Sequence, residues 1–307
     1  MRIAVVGATG VVGETIMRVL RERGVPAETV TKFASRARED VRETTEEALR
    51  AYDAVFFAGS EDASERYAPP VLARGGIVID NSSTFRMREG VPLVVPEVNA
   101  HAVRPEHRLF PVGNCTAIIL CMALAPVRDA AGLHAVYVAT YQSVSGAGRA
   151  ALEAFDRGEG NVVGNVIPHI GQWDASGYTG EEMKIAQETR KVLELPDLNI
   201  FATAVRVPVR TAHSEAVFFE TLRPTSVEKL SDALGKASGV VFHAQGEVTP
   251  REVEGTDEVH VARLRMCEDG LQGSHFQMWV VGDQLRKGAA TNGVQILELL
   301  LQRGVIT

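Results

Sequence analysis

The sequence predicts an α/β protein in which a doubly wound parallel sheet is joined to an α+β domain with a mixed, largely antiparallel sheet. Two features of the sequence support this prediction. The first third alternates short, fully apolar strands with helical patterns, which is typical of a parallel sheet covered by helices on both faces. From about residue 130 onward, the strands become longer and alternate partly between apolar and polar residues, as antiparallel strands do.

The first part of the chain is predicted to contain short buried strands joined by helices. The first strand leads into a helix, because residues 10–24 place apolar side chains on one helical face and Gly24 is a typical C-terminal stop. The predicted strands are RIAVVG (2–7), TVTKFAS (29–35), DAVFFAG (53–59) and GIVIDNSS (76–83).

The second part is predicted to combine longer strands with helices such as SVEKLSDALGKA (226–237). The last helix, GAATNGVQILELLLQRG (288–304), is a candidate to pack back on the first domain. We therefore expect one domain over 1–114, completed by 285–307, and a second over 115–284. The predicted strands of the second domain are HAVYVATYQSV (134–144), NIFATAVRVPV (199–209), SEAVFFETL (214–222) and HVARLRMCED (260–269).

The composition narrows the possible function classes. A chain of 307 residues is long enough for two domains, and its net charge of −7 argues against nonspecific nucleic-acid binding, which needs a basic surface. Three cysteines cannot all pair within one chain and lack the spacing of zinc ligands, so we expect no metal site and a reducing, cytoplasmic location. No stretch approaches about 18 uninterrupted apolar residues, so no membrane span is predicted.

A glycine-rich loop follows the first strand and opens the first helix. Its residues Gly7, Gly10 and Gly13 suit a tight turn, a close approach of the backbone to a pyrophosphate, and packing of the helix on the strand. The helix N-terminus would supply amide donors and a partial positive charge for the phosphates. The loop therefore predicts a Rossmann-type dinucleotide site, and the simpler alternative is a tight strand-to-helix turn.

The end of the second strand predicts which dinucleotide binds. An acidic residue at this position would favour the ribose hydroxyls of NAD. Here the strand ends in Ser35, followed by Arg36 and Arg38, and a serine with two arginines suits a 2′-phosphate. We therefore expect NADP as the cofactor.

Cys115 is a candidate nucleophile because Thr116 and the residues after it form a plausible helix start. At a helix N-terminus, the dipole and the free amides favour the thiolate and stabilise a tetrahedral oxyanion. The alternative is a buried structural cysteine, which we predict for Cys121.

Further candidate residues follow predicted strands. Gln142 could orient an acyl group, and the turn containing Ser145 and Gly146 allows close approach to a cofactor; the alternative is a simple loop. Arg206 lies in an apolar strand, where its charge needs a partner such as a substrate carboxylate or a structural carboxylate. His213 is a candidate general acid and base, although a histidine taken at random is usually structural.

Two segments carry candidate anion ligands. Arg86 follows the strand that ends near residue 80, at the sheet edge where ligands bind in such folds, and it could hold a phosphate. Thr179 begins a helix with a capping-box pattern, in which Lys184 lies three residues after Glu181. The alternative for these last two residues is an exposed ion pair of little energetic value.

Taken in order over nearly the whole chain, these segments resemble the aspartate-semialdehyde dehydrogenase family. The segments that carry the resemblance are GATGVVG, DNSSTFRM, VPLVVPEVN, NCTAI, TYQSVSGAG, GYTGEEMKIAQETRKVL, ATAVRVPV, AHSEAV and VVGDQLRKGAA.

The resemblance implies a role for each matching position. Cys115 matches the nucleophile, His213 the acid/base, and Gln142 a residue that orients the substrate. Arg206 matches the ligand of the α-carboxylate. The remaining substrate and phosphate positions are Arg86 and Lys184 for the phosphate, Glu181 for the amine, and Asn114 before the nucleophile. The positions that match cofactor contacts are Gly7, Thr9, Gly10, Val11, Val12, Gly13, Ser35, Ser145, Gly146 and Gln284, joined by Arg36 or Arg38.

The resemblance also implies the reaction. An NADP-dependent dehydrogenase of this family interconverts L-4-aspartyl phosphate with L-aspartate 4-semialdehyde and phosphate through a cysteine thioacyl intermediate, on the route to lysine, threonine, methionine and isoleucine. The second domain is then the catalytic and dimerisation domain of a homodimer or homotetramer. The chain departs from the family in three places: Val112-Gly113 stands where Asn-Pro is usual, a lysine-containing stretch with its hairpin is missing after Ser35, and the segment Asp156 to Gly164 is short.

Three other functions are compatible with parts of this pattern. An N-acetyl-glutamyl-phosphate reductase shares the cofactor fold and the cysteine, but it must accommodate an acetylated amine. A malonyl-CoA reductase uses similar cysteine chemistry without the phosphate ligands Arg86 and Lys184. An inactive NADP-binding relative would not need to keep Cys115, Gln142 and His213 together.

Overall fold

The computed structural model describes residues 1–267 and 273–306. The chain forms two compact units, Met1–Gly113 with Ala289–Thr307 and Asn114–Gly288. Within the described residues, no helix combines the length and the apolar character that a membrane crossing requires.

The first unit contains a parallel sheet of six strands in the order β3-β2-β1-β4-β5-β6. The side chains of β1, β4 and β5 are all buried, as expected for strands covered on both faces. The strands are β1 Ile3–Val6, β2 Val30–Ala34, β3 Arg42–Glu43, β4 Ala54–Phe57, β5 Ile77–Asp80 and β6 Leu109–Pro111.

Helices of the first unit follow the strands, as in a doubly wound fold. The predicted helix over 10–24 is observed as α1 Val11–Glu22, and Gly24 adopts φ +77° just beyond its end. The other helices of this unit are α2 Glu46–Leu49, α3 Glu61–Ala73, α4 Pro96–Asn99 and the C-terminal helix α10 Thr291–Gln302.

Helix α10 packs within the first unit. The Asn292 side chain donates to the carbonyl of Val94 over 2.9 Å, and Gly293 lies against the side chains of Ile79 and Val112. The helix begins later than the predicted residue 288, because Arg286–Ala290 forms a π-helical turn before it.

The second unit contains a mixed sheet of six strands in the order β10-β11-β12-β9-β7-β8. The pairs β7–β8 and β10–β11 are parallel, and the pairs β7–β9, β9–β12 and β11–β12 are antiparallel. This arrangement confirms the predicted largely antiparallel sheet. The strands are β7 Ala135–Gln142, β8 Asn199–Arg206, β9 His213–Glu220, β10 Val240–His243, β11 Val259–Met266 and β12 His275–Gly282.

Two strands of this sheet were not predicted, and the four predicted strands extend two or three residues beyond the observed ends. The short edge strand β10 carries no clear pattern, whereas the apolar run of β12 is evident in the sequence and was not assigned. The predicted strand over 260–269 is observed as β11, which ends at Met266; residues 268 and 269 lie outside the described residues.

Helices pack on both faces of this sheet, and one face is partly open. The helices are α5 Cys115–Ala131, α6 Arg149–Asp156, α7 Gly180–Leu193, α8 Val227–Lys236 and α9 Pro250–Val253. Helix α5 is buried along almost its whole length and packs against α7, α8 and β12. On the opposite face, Tyr137 and Phe201 stack at 5.1 Å between ring centroids and remain exposed.

Candidate active site

The strand order of the second unit brings three predicted site residues to one edge of the sheet. Gln142 ends β7 and pairs in register with Arg206, the last residue of the parallel strand β8. His213 begins β9, which runs antiparallel to β7 and pairs Ser214 with Tyr141. Two strand ends and one strand start therefore meet where Cys115 begins α5.

Asn114 forms the N-terminus of the cysteine helix. Its side-chain Oδ1 accepts hydrogen bonds from the amides of Thr116 (3.0 Å) and Ala117 (3.2 Å), which satisfies free donors of the first turn. Its own amide donates to the buried Glu188 carboxylate over 2.5 Å, and its Nδ2 donates to Glu181 over 2.9 Å. The turn that carries Cys115 is thus held by a complete set of hydrogen bonds at Asn114.

The Cys115 thiol faces the His213 ring. Its Sγ lies 3.5 Å from Nε2 of His213, and the cysteine is half-buried whereas the histidine is fully buried. Nδ1 of His213 lies 3.1 Å from the donating amide of Ser143. Burial and, secondarily, the nearby Arg206 cation lower the pKa of His213 from 6.5 to about 3. The ring is therefore neutral at physiological pH.

Arg206 carries the positive charge of this cluster. Its Nη1 donates to the Ser143 carbonyl over 2.6 Å. Burial lowers the pKa of Arg206, and the nearby Cys115 and Glu181 oppose this shift. The observed hydrogen-bond partner of Arg206 is thus a main-chain carbonyl, and the substrate carboxylate expected from the sequence stays a prediction.

Glu181 connects the first turn of α7 with the sheet edge. Its Oε1 accepts from Nδ2 of Asn114 and, over 3.1 Å, from Nε2 of Gln142. The predicted capping box forms at this helix, where Thr179 and Glu182 bond each other's backbone amides. Lys184 lies three residues after Glu181 in the same helix.

Two glycines approach the cluster so closely that a side chain would collide with it. A Cβ on Gly146 would lie 3.1 Å from Nη1 of Arg206 and 3.2 Å from Cε1 of His213. A Cβ on Gly288 would lie 2.9 Å from Cβ of Cys115 and 3.2 Å from its Cα. These backbones form walls of the site, and Gly288 was not singled out in the sequence.

Gln284 and Ser145 are buried next to the same edge. Oε1 of Gln284 accepts from the Ala212 amide over 2.8 Å, and Nε2 of Gln284 donates to the Ser145 hydroxyl in a short hydrogen bond. Ala212, immediately before His213, adopts φ +66°, a strained value for a residue that is not glycine.

The glycine loop of the first unit has the geometry that a bound pyrophosphate requires. Gly7 adopts φ +79°, and a Cβ there would lie 2.8 Å from the backbone of Ala58. A Cβ on Gly13 would lie 2.2 Å from the Gly7 carbonyl, so Gly13 allows α1 to pack on the loop. The loop borders a cavity of about 670 Å³.

This cavity is lined by some of the predicted cofactor residues and by several that the sequence analysis missed. Gly7, Thr9, Gly10 and Ser35 line it. Residues lining the cavity that the sequence analysis did not select include Thr44, Thr45, Arg66 and Tyr67.

The other predicted cofactor residues of this unit lie beside the cavity. Arg36 and Arg38 are exposed and are not among the lining residues, and Val11, Val12 and Gly13 belong to the helix start rather than to the lining. Arg66 belongs to α3, and the sequence offered no signal that this helix would present an arginine to the cavity.

The predicted anion ligand Arg86 belongs to the first unit. It is buried in the loop after β5, and its Nη2 donates to the Asn81 carbonyl over 2.9 Å. The predicted ligands Glu181, Lys184 and Arg206 belong to the second unit, with Cys115.

A unit with a dinucleotide-type glycine loop and a unit with a cysteine–histidine pair define an oxidoreductase of the dinucleotide-binding class. Residues 2–105 match the family model described as "Semialdehyde dehydrogenase, NAD binding domain", and residues 124–287 match "Semialdehyde dehydrogenase, dimerisation domain".

Individual relatives match over the whole chain. Aspartate-semialdehyde dehydrogenase of Aquifex aeolicus is 39% identical over 99% of this chain and 99% of its own length, and that of Bacillus subtilis is 36% identical over 100% and 99%. The crystal structure of aspartate semialdehyde dehydrogenase II from Vibrio cholerae superposes with a TM-score of 0.92 at 36% identity, over 99% of each chain. A structure of that Vibrio protein complexed with ASA also gives 0.92, over 99% and 98%. The chain belongs to the aspartate-semialdehyde dehydrogenase family, which confirms the predicted family and fold.

Proposed function

We propose that the chain catalyses the NADPH-dependent reductive dephosphorylation of L-4-aspartyl phosphate to L-aspartate 4-semialdehyde, and its reverse. The observation that carries this proposal is the placement of Cys115 Sγ 3.5 Å from His213 Nε2 at a capped helix N-terminus. Membership of the family supports the choice of substrate, because the full-length relatives carry this name.

Cys115 acts as the nucleophile in this proposal. Its thiolate attacks the acyl carbon of aspartyl phosphate, phosphate leaves, and a thioester forms on Sγ. The partial positive charge at the N-terminus of α5 stabilises the developing oxyanion. When bound, NADPH supplies the hydride that reduces the thioester. His213 moves the proton at the hydroxyl oxygen as the aldehyde separates from Sγ, which regenerates the thiolate.

The remaining site residues bind and orient the substrate. The Arg206 guanidinium is the candidate ligand for the α-carboxylate, and the Glu181 carboxylate is the candidate ligand for the α-amine. Gln142 orients the acyl group beside Cys115. Arg86 and Lys184 are the proposed phosphate ligands. These positive side chains in an acidic chain favour a dianionic substrate.

The cavity beside the glycine loop fits a dinucleotide, because Gly7, Thr9 and Gly10 line it next to the N-terminus of α1, where the helix dipole favours a pyrophosphate. Thr9 to Val12 are the proposed contacts of the pyrophosphate. Ser145, Gly146 and Gln284 remain proposed contacts in the second unit.

Ser35, with Arg36 or Arg38, remains the proposed site of the 2′-phosphate. We expect the double variant Arg36→Ala/Arg38→Ala to weaken NADPH binding at least ~10-fold and to change NADH binding little, as measured by fluorescence titration. Equal losses would contradict the assignment. If Arg66→Ala instead removes the preference for NADPH over NADH, the residue that contacts the 2′-phosphate is Arg66 of α3.

The open sheet face of the second unit is the proposed surface for self-association. Tyr137, Tyr178 and Phe201 line a concave region there and are exposed, and exposed aromatic residues are typical of such interfaces. We propose a homodimer, or a homotetramer built from it, located in the cytoplasm. Light scattering on the purified protein measures this mass directly.

The reaction is tested by following the phosphate-dependent reduction of NADP⁺ by L-aspartate semialdehyde. We expect turnover that requires phosphate, a loss of at least ~10³-fold in Cys115→Ala, and near-normal turnover in the matched control Cys121→Ala. Turnover only with an N-acetylated semialdehyde or a CoA thioester would replace the proposed substrate. Cofactor binding without any turnover would indicate a binding protein.

A further inference from the structure

Ser143 contacts both Arg206 and His213, and the proposed function gives it no role. It is fully buried and follows Gln142 at the end of β7. Its carbonyl accepts from Arg206, its amide lies 3.1 Å from Nδ1 of His213, and its hydroxyl lies 3.0 Å from the same nitrogen. A main-chain amide can only donate, so it favours a lone pair on the nitrogen that it faces.

The hydroxyl contact has a direction that can be read from Gln284. Because Oε1 of Gln284 accepts from the Ala212 amide, Nε2 of Gln284 must be the group that donates to Ser145. The Ser145 hydroxyl proton is then free to point to the Ser143 oxygen, 3.4 Å away. Ser143 in turn points its own proton to Nδ1 of His213. The hydrogen bonds from Gln284 through Ser145 and Ser143 therefore all donate toward His213.

We propose that Ser143 is a positioning residue that holds His213 in the tautomer protonated at Nε2, with Ser145 and Gln284 orienting the Ser143 hydroxyl. This inference concerns the free enzyme, before any proton transfer to or from His213, and rests on the proposed function, in which His213 serves Cys115. A proton on Nε2 points at Sγ of Cys115 across 3.5 Å, so the neutral ring donates a hydrogen bond to the thiolate.

The charges around the ring agree with a neutral donor. Arg206 binds the Ser143 carbonyl, so a protonated imidazolium would place a second buried cation beside it. The lowered pKa of His213 reports the same preference for the neutral ring. The other titratable groups near this edge are Cys115 and Glu181, with Glu215 two residues along the same strand face. The thiolate is therefore stabilised without an ion pair to histidine.

The tautomer is measured directly by long-range ¹H–¹⁵N correlation spectra of the full chain labelled with ¹⁵N-histidine. The His213 signals are identified by their loss in His213→Asn. We expect a protonated Nε2 and an unprotonated Nδ1 between pH 7 and 8. A proton on Nδ1, alone or together with one on Nε2, would overturn the proposal. This spectrum needs no turnover, so its outcome is separate from the phosphate-dependent assay of the proposed function.

The role of the Ser143 hydroxyl is tested by reversing the direction of these hydrogen bonds. Gln284→Glu replaces the donor to Ser145 by an acceptor, so the Ser145 hydroxyl turns away and the Ser143 oxygen becomes able to accept from Nδ1–H. We expect a population protonated at Nδ1 and a slower alkylation of Cys115 by iodoacetamide at pH 7, by about tenfold, since one charge-assisted hydrogen bond to the thiolate is lost.

A second substitution then shows whether the effect passes through Ser143. Adding Ser143→Ala removes the acceptor for Nδ1–H, and we expect the double variant to regain the proton at Nε2. The matched control adds Ser214→Ala, a buried serine on the other side of His213, and should leave the Gln284→Glu spectrum unchanged. A tautomer that is unaffected by Gln284→Glu, or that is not restored by Ser143→Ala, would exclude the relay. The wild-type spectrum decides the tautomer even if a variant does not fold.

Discussion

Two cysteines of helix α5 in the second unit each lie near a titratable side chain of strand β9. One pair lies at the rim of the candidate site, and the other lies deeper in the core. At the rim, Cys115 in the first turn of α5 is half-buried beside His213. Deeper in the core, Cys121 lies six residues further along α5 and is completely buried, close enough to Glu215 to interact with its charge. Because Glu215 is two residues after His213, both pairs use the same helix and the same face of the same strand.

The difference between these pairs shows that position, not residue type, determines the chemistry. Burial raises the pKa of Cys121 well above its usual range; the hydrogen bond with Thr189 opposes this shift, and the nearby Glu215 adds to it. Burial also raises the pKa of Glu215 well above its usual range. Both deep groups are therefore held in their neutral forms. At the rim, the partial positive charge of the helix N-terminus, Arg206 and the His213 N–H favour a charged thiolate.

The largest expected difference between the two depths is in thiol reactivity. We expect iodoacetamide to alkylate Cys115 at least ~10³-fold faster than Cys121 at pH 7.5, because only the rim thiol is accessible and stabilised as thiolate. Peptide mass spectrometry follows each site, and the loss of activity should track Cys115. Comparable rates for the two cysteines in the folded protein would contradict the distinction.

A matched pair of glycine substitutions separates the two depths by function. Gly288→Ala presses a methyl group against Cβ and Cα of Cys115, and we expect about a 10²-fold loss of kcat/KM from the displaced nucleophile. Gly282→Ala instead presses on the side chain of Ile119, one turn deeper, with its Cβ 2.9 Å from Cγ1. It should cost about 1–3 kcal/mol of stability and leave kcat/KM within a few-fold.

Steady-state kinetics and thermal melts of both variants provide the comparison. An equal loss of activity in Gly282→Ala and Gly288→Ala would contradict the expectation that packing at the rim affects activity and packing in the core affects stability.

The smallest predicted effect concerns the deep carboxyl. Neither oxygen of Glu215 has a hydrogen-bond partner among the described residues. The folded chain keeps Glu215 protonated at pH values where the unfolded chain ionises it, above the ordinary pKa of 4.5. The unfolded state thus binds fewer protons, and stability falls as pH rises from about 4.5 toward the raised folded pKa.

Glu215→Gln removes this loss of stability at high pH. We expect Tm to rise by roughly 2–6 °C at pH 8 and by clearly less at pH 5, as measured by calorimetry. The exposed carboxylate Glu247 offers the matched control, since Glu247→Gln should shift Tm little at either pH. A gain that is the same at both pH values would show that Glu215 is ionised in the folded chain.

Much of the fold was readable from local patterns. The apolar runs of β1, β4 and β5 and the helical period of α1 predicted the parallel sheet, because strands buried on both faces leave a continuous apolar signature. The edge strands β3 and β10 were missed, since their few residues carry little pattern. The motif segments identified the family, which the full-length relatives confirm.

The sequence by itself determined the fold class, the glycine loop and the identity of the family. These depend on apolar periodicity and on short motifs, which are local properties of the chain. Only the tertiary structure decided that Ser143 faces His213, that Gly288 approaches Cys115, and that Arg66 lines the cavity beside the glycine loop. Each of these contacts joins residues far apart in the sequence, and their distances follow from strand order and helix packing, which no local pattern encodes.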